Sequence, residues 1–106
     1  MIVTIPDTPT RTQQEILITL RALAGLVAEA IGRTAASGDE ATFARENARL
    51  AFWRAFLLHH TRRLLPSVVV GADDRTCRAF ADQLVHEVYR EDREGRGASG
   101  DGLVAE

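Results

Sequence analysis

The run Leu50-Ala51-Phe52-Trp53-Arg54-Ala55-Phe56-Leu57-Leu58 is apolar on nearly every side of a helix. It sits between Ser37-Gly38-Asp39-Glu40, a capping-box pattern, and Pro66, which stops a helix because the preceding residue avoids helical geometry. About 26 residues of helix would be ~39 Å long. A helix buried all round is usually central, or sandwiched between its own domain and a partner. This chain has 106 residues, room for one domain. Three helices have difficulty enclosing one of their number. Phe52 and Phe56 form an i,i+4 pair facing away from Leu50 and Leu57, so both sides need cover.

Two further helices follow from periodicity. Thr12-Gln13-Gln14-Glu15 is a capping box that starts the first of them. Ile16, Leu20, Leu23, Val27, Ala30 and Thr34 then form an amphipathic stripe, widened by Leu17, Ala24 and Ile31, as far as about Ala36 before Gly38. Ile18 and Leu26 lie on the opposite side with Ala22, Gly25 and Glu29, a second apolar patch that suits a contact with another subunit. The third helix starts at Asp73 or Asp74, where acidic residues suit the dipole. Cys77, Phe80, Ala81, Leu84, Val85 and Val88 supply its buried stripe, and it is expected to end near Glu94 as glycines set in.

Between Pro66 and Gly71, Ser67-Val68-Val69-Val70 favours extended structure, here as a loop tucking its valines under the helices. The organisation expected is an extended arm over 1–11, a helical bundle domain over 12–94, and a flexible Gly-rich tail over 95–106. The fold class is all-α: a small three-helix bundle with a long central helix, completed by dimerisation or by a partner.

Composition narrows the function classes. Net charge −2 leaves no electrostatic footprint for nucleic acid or an anionic membrane. No apolar run approaches the ~18 residues of a spanning helix, and no signal peptide is legible. A single cysteine, Cys77, forms no internal disulfide, which suits the cytoplasm. All 13 basic residues are Arg, the composition of a GC-rich bacterial genome. Phosphate loops and paired CxxC motifs are missing, and the third helix mixes Arg75, Arg78, Arg90 and Arg93 with Glu87, Glu91, Asp92 and Glu94, a solvated face rather than a DNA-reading one.

Three constellations carry candidate chemistry. Cys77 lies on an apolar stripe, the position of a structural thiol. Asp82 and His86 are spaced i,i+4, which metal sites use, with His60 or Glu87 as possible extra ligands; neighbouring arginines oppose a cation, so no metal or other cofactor is expected. Arg54 interrupts the apolar centre of the second helix. It lines up with Asn47 and Thr61, a polar line suited to fixing helix register, to lining a small pocket, or to a snorkelling arginine.

Arg54-Ala55-Phe56-Leu57-Leu58-His59 also places an arginine and a histidine four residues apart. This resembles the signature of the HEPN family of small helical-bundle ribonucleases. The resemblance implies an RNA-cleaving pair, Arg54 and His59, in a composite dimeric site. It covers six residues, and Ala55 stands where that family commonly has a polar residue. The two side chains diverge by ~140° on a regular helix. The reading that accounts for most of the sequence is a non-enzymatic interaction protein, packing its helices against itself or another protein through Ile18, Leu26, Phe52, Trp53 and Phe56. A metal- or ligand-binding bundle is the remaining alternative.

Overall fold

The computed structural model describes residues 8–105, and side chains over residues 8–94. Three helices make up the fold: α1 (Arg11–Ala35), α2 (Glu40–Leu64) and α3 (Asp74–Ala105), with one 3-10 turn, Leu65–Ser67, closing α2. Among the described residues there is no strand, and no helix is long and apolar enough to cross a membrane. The all-α three-helix bundle read from periodicity is the fold observed. Most of the arm expected over 1–11 lies outside the described residues.

Each helix begins at a side-chain cap. α1 starts at Thr10 rather than Thr12: the Gln13 amide donates to Thr10 Oγ1 at 3.1 Å, and the Thr10 amide donates to Gln13 Oε1 at 2.9 Å. Both threonines are followed three residues later by Gln or Glu, so two capping boxes compete. The earlier one adds two residues of helix, and Gln13 Nε2 also donates to the Ser67 carbonyl at 3.2 Å. α2 starts after Asp39, which accepts from the Thr42 amide at 2.8 Å; Asp39 is the cap, and Ser37 instead donates to the Arg33 carbonyl. Asp73 does the same for α3 through the Thr76 amide at 2.8 Å. α3 runs past Glu94, its expected end, to Ala105. Glycines there lower helix propensity by ~1 kcal/mol each without forbidding the conformation.

Two neighbouring clusters form the core. One joins Ala24, Val27 and Ala30 of α1 with Leu50 and Leu57 of α2 and Ala81 of α3. The other joins Leu20 of α1 with Leu65, Val68, Cys77 and Phe80. Leu20 therefore meets the end of α2 while Val27 and Ala30 meet its middle, so the two helices run antiparallel. Small alanines on α1 let the backbones approach closely, and each fully buried Leu or Val contributes about 1.5–3 kcal/mol. The valine connection tucks in part: Val68 is buried and Val69 half-buried, but Val70 is 98% exposed. Gly71 follows at φ +75°, the backbone reversal that ends the turn.

Candidate functional site

α2 presents two different surfaces on either side of its buried Leu50–Leu57–Thr61 line. The first is an aromatic ridge. Phe52 and Phe56 stack with ring centroids 6.0 Å apart. Trp53 meets both edge-on, at 5.2 Å and 5.7 Å. His60 extends the ridge, 4.5 Å from Phe56. Trp53 is half-buried and packs on the core, so it anchors the ridge, whereas Phe52 is 58% exposed and Phe56 36%. On α1, Ile18 and Leu26 are likewise exposed. These five are the residues singled out by sequence as contact residues. Phe43, in register with Leu50 and Leu57, is exposed and lies on a different side of α2 from Phe52 and Phe56.

The second surface is a groove of about 480 Å³ between α2 and α3. Its apolar floor comes from Ile31, Leu57, Leu58, Ala81 and Val85. Arg54 stands on the α2 side, and Arg78, Asp82, His86 and Tyr89 on the α3 side. The volume falls within the range of small-molecule sites, ~300–1,000 Å³. Arg54 thus reaches a polar rim, with its guanidinium in solvent rather than buried. The polar line expected along α2 divides: Thr61 is fully buried and donates to the Leu57 carbonyl at 2.8 Å, while Asn47 and Arg54 are exposed.

Electrostatics distinguish the groove's charges. Asp74 binds Arg78 at 2.8 Å and Arg62 as well, so one carboxylate ties the end of α2 to the start of α3. Arg78, then Arg62, hold the Asp74 carboxyl below the ordinary carboxylate range. Arg78 is therefore already engaged. Arg54, Asp82 and His86 make no hydrogen bond or ion pair among the described residues.

The other sequence candidates fall elsewhere. His59 does not line the groove; its ring lies 5.2 Å from that of His60, so one chain does not bring Arg54 and His59 together there. Asp82 and His86 share the groove wall, yet among the described residues no group of three or more His, Cys, Asp or Glu is placed to hold a metal ion. Cys77 is 2% exposed, and burial pushes its thiol up from the ordinary value. On α2, Glu46 has a buried Oε2 without a hydrogen bond, 3.8 Å from Arg49 Nη1.

Sequence reasoning had not assigned Arg78 and Tyr89 to a site. The signal was present: Arg78, Asp82, Val85 and Tyr89 recur at steps of four, three and four, a stripe flanking the buried one on α3. What periodicity alone lacks is the position of α2 beside that stripe. No family model matches the chain, and neither does any curated protein or solved structure.

Proposed function

We propose that this chain is a small helical interaction protein of the bacterial cytoplasm, an accessory subunit or adaptor that packs its α2 ridge against a second copy or a partner protein. One observation carries the reading: Phe52, Trp53 and Phe56 touch one another as a set, with Phe52 58% exposed. Single exposed apolar side chains are ordinary, but aromatic rings gathered on one helix face make a patch. Aromatic anchors of this kind carry a large share of binding energy at interfaces, where a buried Phe contributes roughly 1.5–3 kcal/mol from area alone. Ile18, 68% exposed, and Leu26 are further exposed apolar side chains on α1.

The deciding experiment is absolute mass by light scattering at several concentrations, on the parent chain and on Phe52→Glu and Phe56→Glu, with circular dichroism in parallel. The expected result is a dimer or larger species that both substitutions reduce to monomer at unchanged helicity. For a chain that is monomeric throughout, the same substitutions are expected to abolish binding to its purified partner. Unchanged mass and unchanged partner binding in both variants would end the reading.

A further inference from the structure

The α2–α3 groove is separate from the ridge and built differently, with unpaired opposite charges on its two walls above an apolar floor. Arg54 stands on α2 and Asp82 on α3, and neither has a hydrogen-bond or ion-pair partner among the described residues. Arg78, the other arginine there, shares Asp74 with Arg62 and is oriented by that contact, so Arg54 is the arginine on the groove with no carboxylate partner among the described residues. Asp82 argues against a simple anion as occupant, and Arg54 argues against a simple cation. Leu58 and Val85 offer hydrocarbon contact between them. A ligand matching all three features carries an anionic group, a cationic group and an apolar body.

From this juxtaposition we infer that the groove binds a small zwitterion with an apolar side chain, the chemical class of a branched or aromatic α-amino acid. The carboxylate faces Arg54, which donates to it through a planar fork suited to that geometry. The ammonium faces Asp82, and the hydrocarbon rests on Leu58 and Val85. At about 480 Å³ the groove has room for such a molecule. No covalent step is involved.

Three probes that share one branched hydrocarbon test this: leucine, 4-methylpentanoate (no ammonium) and 3-methylbutylamine (no carboxylate). Binding is read as saturable amide chemical-shift changes at Ala55, Ala81 and Val85. Leucine is expected to bind ~10-fold or more tightly than either truncated probe, the ordinary worth of one charge-assisted hydrogen bond. Arg54→Gln should weaken leucine by a similar factor and leave 3-methylbutylamine unchanged. Asp82→Asn should weaken leucine and leave 4-methylpentanoate unweakened. Both residues are exposed and outside the core clusters, so neither substitution removes a core contact, and circular dichroism checks that each variant folds. Ala55→Trp, also at an exposed lining position, should block all three probes. The proposal is overturned if leucine gives no saturable shifts, if a truncated probe binds as tightly, or if either charge substitution leaves leucine's affinity intact. Phe52→Glu should leave leucine binding unchanged, which keeps this outcome distinct from that of the ridge.

Discussion

Cys77 Sγ on α3 lies 3.8 Å from the carbonyl oxygen of Thr61 on α2, and both residues are buried almost completely. The thiol is a weak donor to the Thr61 carbonyl, and the Thr61 hydroxyl in turn donates to the Leu57 carbonyl one turn back. Burial, followed by the charge of Asp74, pushes the thiol's ionisation up. Little thiolate forms near neutral pH, and little of it is reachable. In the folded chain Cys77 should therefore react with a disulfide reagent far more slowly than the same thiol in denaturant. Comparable rates in the two conditions would contradict this burial.

Folding and assembly should separate by position on α2. Leu57 is 2% exposed within the core, so Leu57→Ala should destabilise the fold by about 2–5 kcal/mol. Phe52 is mostly solvated, so Phe52→Ala should change the stability of the isolated fold by only ~0.5 kcal/mol or less. Urea unfolding at a concentration where the chain is monomeric checks both values.

Two glycines should respond to alanine with opposite signs. Both have open space where a Cβ would lie, so sterics with neighbours do not decide the outcome. Gly71 has φ +75°, where an L side chain clashes with its own backbone, and Gly71→Ala should cost about 1–2 kcal/mol. Gly25 lies within α1, and Gly25→Ala should stabilise by ~0.5–1 kcal/mol. Thermal unfolding midpoints should move in opposite directions.

Acid should loosen the helix starts. The Thr42 amide, then the Thr42 hydroxyl, hold the Asp39 carboxyl below its ordinary value, and Thr76 does the same for Asp73. A depressed folded value means that this contribution is complete above the ordinary value near 3.8 and is lost as pH falls through the lower folded value. Asn accepts the same hydrogen bond without titrating. Asp39→Asn should therefore flatten the acid limb of stability while leaving neutral stability close to that of the parent chain. Asp39→Ala should lower stability across the neutral range. An acid limb unchanged by Asp39→Asn would exclude this cap as its source.

Much of the fold was legible because local signals agreed. Leu20, Val27 and Ala30 recur at helical spacing and are buried together, and Pro66 ends α2 within two residues of the boundary read from it. The misread start of α1 came from two overlapping caps, Thr10 and Thr12, which sequence spacing cannot rank; the longer helix and the Gln13–Ser67 contact decide it. The apolar run of α2 was legible as having two faces in need of cover. What periodicity could not supply was the nature of each face. Which side of Arg54 becomes a groove depends on where α3 lies, and Asp82 and Arg54 come to line one groove only through tertiary packing.

α1 contributes to both core clusters, Leu20 to one and Val27 with Ala30 to the other. It acts as a splint across the Val68–Asp73 turn, which then need not be strong itself. A chain cut beside exposed Val70 should stay together as two noncovalently joined fragments, with α1 gripping α3 through the same residues that grip α2. Sequence change at exposed Val70 is correspondingly cheap for the fold, whereas Val68 stays apolar for the core, position 71 needs positive φ, and Asp73 caps α3.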